Sequence, residues 1–393
     1  MRTIVAILLA IFAQFSAFGQ AKLLVLVDPY ARGLAGDVLT KVLRKIETQE
    51  TNFPGGVRVR EMPRWSGNLT NQDWVALNRM AYEVSIYNPT TLWIIGHLPW
   101  LVTGGHNGDG HETRCIMTDQ WLAVSDFAFV DTLDWGMTGY SPDSYPLNRN
   151  IPGDGRPDAV SGTFIRRVCR VDFAGLTRPS DDTEWSGGCL DQLPKQPAID
   201  EGLALRQYFT NNLAYRNGEW TTSATGTMTG SLWALDYSAY WFPVTNANPS
   251  ITWTKSSAAI GGGTPRFLYD NWDANEVANL YDGSCNGVRT VVEVTLRSYA
   301  GEVYRNYNVP ARRLQPGRRS YGYTLTYCWQ PLGATYWICP SSAKTVGDMI
   351  EYSATNAGGV LFSHTILGDP TLPLVPQSNG TGGSLSVTNL VIQ

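Results

Sequence analysis

Histidine is scarce in this chain: four in 393 positions, so imidazole chemistry has few places to sit. Charge is thin as well. Asp, Glu, Lys and Arg make up 16% of the residues and the formal net charge is -4, against roughly 25% charged residues in an average globular chain. No basic stripe is present to track a phosphate backbone, which argues against nucleic acid as a partner. There is no Cys-x-x-Cys, so a zinc ribbon has no support. His-Glu-x-x-His is missing, which removes the helix-borne zinc peptidase reading. GSCNG (283–287) is not Gly-x-Ser-x-Gly, so a serine-hydrolase elbow fails too. Beyond residue 19 no apolar run approaches the about 20 residues of a membrane-spanning helix.

What is plentiful points to an exported protein. Apolar residues reach 43%, enough for a sizeable core, and Trp (14) and Tyr (19) are abundant. Arg2 precedes an apolar run from Ile4 to Phe18, broken by Gln14 and Ser16, and Ala17-Phe18-Gly19 places small residues where a signal peptidase reads. Residues 1–19 therefore read as a signal peptide, and the mature chain as secreted, periplasmic or cell-surface, with no transmembrane span. All six cysteines (115, 169, 189, 285, 328, 339) lie beyond that cut, and an oxidising compartment predicts disulfide pairing among them.

The length suggests two domains, at roughly 100–200 residues each. KLLVLV (22–27) is a buried strand and GLAGDVLTKVLRKIETQE (33–50) a helix with Leu39, Val42, Leu43 and Ile46 on one face. Val57, Val59 and Met62 mark a second strand. A second helix starts at Thr70 as N-cap, and TTLWIIG (90–96) is a third strand. Strand, helix, strand, helix, strand at this spacing predicts an α/β fold with a parallel sheet and right-handed crossovers. GTFIRRVCRVDFAG (162–175) adds a strand. AIDEGLALRQYFTNNLAYRNG (198–218) adds a helix whose apolar side holds Leu203, Leu205, Tyr208, Phe209 and Leu213. Residues 20–218 form the first subdomain on this reading. A second, 219–376, contains strands at 289–296 and 321–329 and a helix in AKTVGDMIEYSATNAGG (343–359). Residues 377–393 are a flexible linker followed by the start of a strand or further module.

Three stretches resemble the gingipain-like cysteine peptidases, a family with the caspase/haemoglobinase fold. LWIIGHLPW (92–100) resembles their third strand and its turn. RRVCRVDFAGL (166–176) with LALRQYFTNNLAYRNGEW (203–220) resembles a later strand and helix. SHTILGDPTLPLVP (363–376) resembles the signature that closes the catalytic domain. The resemblance implies a caspase-like, parallel-rich α/β sheet with flanking helices in two tandem subdomains, acting on a protein or peptide substrate. Active members carry a His-Gly at the end of one strand of the second subdomain and a cysteine at the end of the next. The thiolate attacks the carbonyl, and the imidazole raises the thiolate fraction and protonates the leaving amine. This chain has no His-Gly. TLTYCWQPLG (324–333) offers Cys328 as the nucleophile, with His364 or a histidine of the first half as its base. A Cys328–Cys339 disulfide is the competing expectation. The chain thus reads as a weakly active or inactive peptidase homologue, or alternatively as a non-catalytic exported binding or surface scaffold.

Three of the four histidines, His97, His106 and His111, share one glycine-rich stretch (96–115). His97 follows the third strand, where open α/β sheets bind ligands. His106, Asp109 and His111 could hold a divalent metal ion, His favouring zinc. NRNIPGDGRPD (148–158) places Asn150, Asp154, Gly155 and Asp158 near the spacing of a calcium loop, but Pro152 takes a ligand position and no Glu closes it. The alternative there is a tight Gly-Asp-Gly turn. Asp172, Asp181, Asp182 and Glu184 read as a solvated acidic run, and Asp270, Asp273 and Glu276 as a sugar-facing patch or a surface helix start.

Overall fold

The computed structural model describes residues 20–49, 53–66, 73–103, 117–127, 129–132, 152–153, 155–160, 162–174, 200–220, 223–230, 252–256, 265–271, 289–296, 323–330, 343–357 and 365–374. The first half opens with β1 (Leu23–Val27), α1 (Pro29–Ala35), α2 (Asp37–Gln49), β2 (Val57–Glu61), α3 (Trp74–Tyr87) and β3 (Thr91–Ile95). Two short antiparallel pairs follow, β4 (Leu101–Val102) with β5 (Met117–Thr118) and β6 (Phe129–Val130) with β7 (Ala159–Val160). Next come β8 (Arg167–Val171) and α4 (Glu201–Arg216). The second half contributes β9 (Ser223–Gly230), β10 (Thr252–Ser256), β11 (Pro265–Asn271), β12 (Arg289–Leu296), β13 (Tyr323–Gln330), α5 (Val346–Ala357) and β14 (Thr365–Gly368). Among the described residues no helix is long and apolar enough to cross a membrane.

Ten of these strands form one sheet in the order β10-β9-β11-β12-β13-β14-β8-β3-β1-β2. The α/β character and the mostly parallel sheet with flanking helices agree with the sequence reading. β1 and β3 are buried at every position, as continuous apolar runs in a parallel sheet covered on both faces should be. Alternate residues face two cores. Leu23, Val25, Val27, Trp93, Ile95, Cys169 and Val171 pack with α1, α2, α4 and α5. Leu24, Leu26, Leu92, Ile94 and Val168 pack with α3 and the turn Gln120–Ala123 on the other face.

Polarity divides the sheet. β2, β1, β3, β8 and β14 run parallel, and so do β13, β12, β11, β9 and β10. The two blocks meet at β13 and β14, which pair antiparallel. Their carboxyl ends therefore lie at opposite edges of the same sheet.

Local chemistry corrects several sequence expectations. The single helix expected over 33–50 is two, because Gly36 at φ 64° breaks it, a conformation glycine adopts without steric cost. α3 is capped by Asp73, whose carboxylate accepts the Ala76 N–H at 3.0 Å; Thr70 lies outside the described residues. In α4, Leu203 is 45% exposed. The other expected apolar residues do pack inward, Leu205, Tyr208 and Phe209 buried and Leu213 partly so, and beside them the buried side carries Ala204 and the polar Asn212 and Arg216.

Those two polar residues explain the closing Gly-Asp-Pro-Thr-Leu. Asp369 is fully buried and accepts hydrogen bonds from Asn212 Nδ2 (2.7 Å), Arg216 Nη2 (2.5 Å), and the backbone N (2.8 Å) and hydroxyl (2.7 Å) of Thr371. A Cβ at Gly368, whose φ is +134°, would stand 2.6 Å from the Leu325 carbonyl oxygen. The motif is thus a lock that ties α4 to the exit of β14 and lets β13 approach.

Candidate functional site

In the first block β1 lies between β2 and β3, so the chain leaves it to opposite sides in turn. That is a topological switch point, and the crevice outside the carboxyl ends of its strands is where such sheets bind ligands. Each strand end delivers a polar residue there: Asp28 directly after β1, Arg64 shortly after β2, His97 after β3 and Asp172 directly after β8. One oxygen of the buried Asp28 accepts the Ala31 N–H at 2.8 Å and caps α1. The other accepts the backbone N–H of His97 and Arg64 Nη1, both at 2.8 Å. Gly96 makes this possible: its φ is +89°, and a Cβ there would stand 2.5 Å from Asp28 Oδ2.

His97 Nδ1 lies 3.0 Å from Asp172 Oδ2. The imidazole packs against Trp65 with ring centroids 5.4 Å apart, and the side chain is 20% exposed. Among the described residues its Nε2 has no hydrogen-bond partner. Asp172 is buried, and its Oδ1 accepts the Ala174 N–H at 2.9 Å. Arg170 stands 4.0 Å away. That arginine is itself fixed by Asp119 at 2.7 Å through two nitrogens, by the Leu98 and Pro99 carbonyls, and by the face of Trp100 at 3.9 Å.

Arg64 completes the network by donating to both oxygens of Glu201, at 3.0 and 2.8 Å. Burial works against its charge, but Glu201, Asp28 and Asp172 outweigh that and hold its pKa above the ordinary arginine value. Burial, the largest influence on Glu201, raises its pKa despite the pull of Arg64. The chemical content is a histidine oriented by a carboxylate. With Asp172 ionised the contact is an Nδ1–H donor to its carboxylate, which directs Nε2 away from Asp172. Sequence reasoning placed His97 at this edge but took Asp172 for part of a solvated acidic run. Its position directly behind an apolar strand, like that of Asp28, was the available signal.

Cys328 lies elsewhere. It is 1% exposed and sits within the ladder of β13, opposite Val294 on β12 and Ile366 on β14. Cys328 and Cys169 are free thiols, so the disulfide expected between Cys328 and Cys339 is not formed. A cysteine held inside a paired strand has its side chain committed to the core. Burial chiefly, and then the charge of Glu293, push the Cys328 thiol far above the usual cysteine range. Three strand intervals separate β13 from β3, about 14 Å at roughly 4.8 Å each, which puts His97 out of hydrogen-bonding reach of Cys328.

His364, His106, Asp109 and His111 lie outside the described residues, as do Asn150, Asp154, Asp181, Asp182, Glu184, Asp273 and Glu276. Among the described residues no group of His, Cys, Asp and Glu is placed to hold a metal ion. Gly153 and Gly155, at φ 79° and 81°, donate their N–H groups to the two oxygens of Asp131 at 2.9 and 2.7 Å. In this part of the 148–158 stretch a carboxylate organises a tight turn through backbone amides.

No family model matches the chain, and no curated protein does either. A solved structure described as "Structure of Protease" is similar over 91% of this chain and 81% of its own, with a TM-score of 0.41 and 10% identity. At that distance the likeness assigns no chemistry to any residue.

Proposed function

We propose that this chain is an exported homologue of the gingipain-like cysteine peptidases in which cysteine chemistry is lost, leaving a binding or surface scaffold for protein or peptide partners. The observation that carries this reading is the state of Cys328: buried within β13, free, and with its thiol pushed far toward the protonated form. The thiolate is the nucleophile, so burial removes it before any question of a base arises. The apolar segment of residues 4–18 supports export. The test is incubation of the mature chain with an unfolded protein substrate under reducing conditions, beside Cys328→Ala, with thiol titration before and after denaturation. The expected result is no Cys328-dependent cleavage and a Cys328 thiol that reacts only once the chain is unfolded. Robust cleavage that disappears in Cys328→Ala would overturn the proposal.

The clustering of scarce histidines supports one further element, a divalent cation, zinc or calcium, held by His106, Asp109 and His111. A ligand bound to the native state alone raises the melting temperature. Chelation should therefore lower it in the parent and leave it unchanged in His106→Ala/His111→Ala.

A further inference from the structure

We infer that the crevice at the carboxyl ends of β1, β3 and β8 is a catalytic site independent of cysteine, in which His97 is general base and general acid for the hydrolysis of uncharged carboxylic esters. Such a site needs an imidazole with one nitrogen fixed and the other open to substrate. His97 has both. Nδ1 lies 3.0 Å from Asp172 Oδ2, the side chain is 20% exposed, and Nε2 has no hydrogen-bond partner among the described residues. Its backbone is fixed as well, because its N–H is bonded to Asp28 and its carbonyl accepts the Trp65 N–H at 2.8 Å. The Trp65 ring packs against the imidazole. Placement is thus decided before substrate arrives, which is where much of the rate advantage of an oriented group originates.

Asp172 is equipped to orient the imidazole and not to take its proton. The Ala174 N–H bonds its second oxygen, and Arg170 stands 4.0 Å away. Both favour the ionised form, as a carboxylate that steadies an imidazolium must be. The charged groups facing His97 are Asp28 from the end of β1, Arg64 from the segment after β2, Asp172 and Arg170 from β8 and its exit, and Glu201 from the start of α4. Arg170 is engaged by Asp119, so three carboxylates face one arginine, and an anionic substrate is disfavoured.

The step is balanced with water as the sole co-reactant. The water oxygen bonds to the acyl carbon while one of its protons passes to His97 Nε2 and the carbonyl π pair moves onto the carbonyl oxygen, which re-forms the double bond in the next step. The acyl C–O bond then breaks, and Nε2–H returns the proton to the departing alkoxide. Acid and alcohol are released, and Asp172 stays ionised throughout.

The site does not depend on the fate of Cys328, and the experiment separates the two by using the Cys328→Ala chain as the parent. Hydrolysis of 4-nitrophenyl acetate is followed against pH and beside an ester that bears a carboxylate. The expected result is turnover above the buffer rate, with preference for the uncharged ester. His97→Gln and Asp172→Asn should each lower it by about 10²–10⁴-fold, the usual worth of a positioned acid–base group. Added imidazole should raise the rate of His97→Ala, but not of His97→Ala/Asp172→Asn, above the rate of imidazole alone in buffer, an excess that a purely structural role for His97 would not give. Turnover no faster than buffer, turnover unchanged in His97→Gln, or loss in His97→Ala without imidazole rescue would each overturn the inference.

Discussion

Replacing Asp369 by Ala should cost about 3–5 kcal/mol, the usual penalty for removing one partner of a buried ion pair. Asp369 is fully buried and receives four hydrogen bonds, from Asn212, Arg216 and twice from Thr371. Bonds to a charged group are worth about 1.5–3 kcal/mol apiece, but these four share one carboxylate, so their sum overstates the loss. The dominant cost is the Arg216 guanidinium, 1% exposed, left in the core without the carboxylate that faces it. Asp369→Asn preserves the shape and one acceptor oxygen and should lose less. Asp369→Leu with Arg216→Met removes both charges and should recover much of the loss, since a buried pair replaced by apolar side chains of similar volume is often neutral. Urea unfolding of wild type, Asp369→Leu, Arg216→Met and the double variant, with the slope m checked for constancy, closes the cycle. A cost below about 1 kcal/mol for Asp369→Ala, or a double variant no more stable than the single one, would refute the view that Gly-Asp-Pro-Thr-Leu is a structural lock.

Cys169 and Cys328 carry pKa values raised chiefly by burial, so they stay protonated in the fold while the unfolded chain ionises them above about pH 8.5. Their contribution is full below that pH and lost above it at about 1.4 kcal/mol per pH unit each. Between pH 8 and pH 10, wild type should therefore lose about 2 kcal/mol more than Cys328→Val in urea unfolding, and identical pH dependence would refute this. Gly96→Ala should cost about 1–3 kcal/mol through its positive φ and its collision with Asp28; an unchanged melting temperature would contradict the close approach. Glu201, its pKa raised chiefly by burial, binds its proton more tightly folded than unfolded. Wild type should therefore gain stability relative to Glu201→Gln as the pH falls from 7 toward 4.5, and the opposite slope would mean that the Arg64 pair prevails over burial.

β1 and β3 were legible because they are apolar on both faces, and β2 because its valines alternate with arginines. Leu23–Val27 and Thr91–Ile95 read as buried runs whatever their neighbours, and the helical segments between strands are long enough to carry the chain back for parallel pairing. Errors came where one residue overrode a periodic pattern. Gly36 splits the first helix. α4 turns inward the side that Leu205, Tyr208 and Phe209 suggest, but Leu203 is left exposed and Asn212 and Arg216 are drawn into the core by Asp369. A hydrophobicity count assigns both to solvent, and their burial follows from a partner 153 or more positions away. The reversal of polarity between β13 and β14 was equally hidden. It depends on which strand pairs with which, and no local pattern records that.

The same reversal decides which candidate residues can act together. A cysteine near the end of an apolar strand and a histidine at the end of another look like a dyad when all strands are taken as parallel in one sense. With β14 inserted antiparallel to β13 and parallel to β8, the carboxyl end of β13 points to the edge opposite His97. Cys328 sits opposite Ile366, one residue from the Leu367 that pairs with Arg170, so it is level with the interior of β8 and not with Asp172 beyond that strand's end. His97 and Asp172, by contrast, follow neighbouring parallel strands whose ends lie level, Ile95 opposite Val171, and such a pair meets without any loop having to fold back. His97 cannot serve as the base for Cys328 from the opposite edge of the sheet, whereas at its own edge it lies beside the carboxylate of Asp172. A nucleophile for that edge must come from solvent or from the chain near β1, β3 and β8, which is why water is the reactant assigned to it.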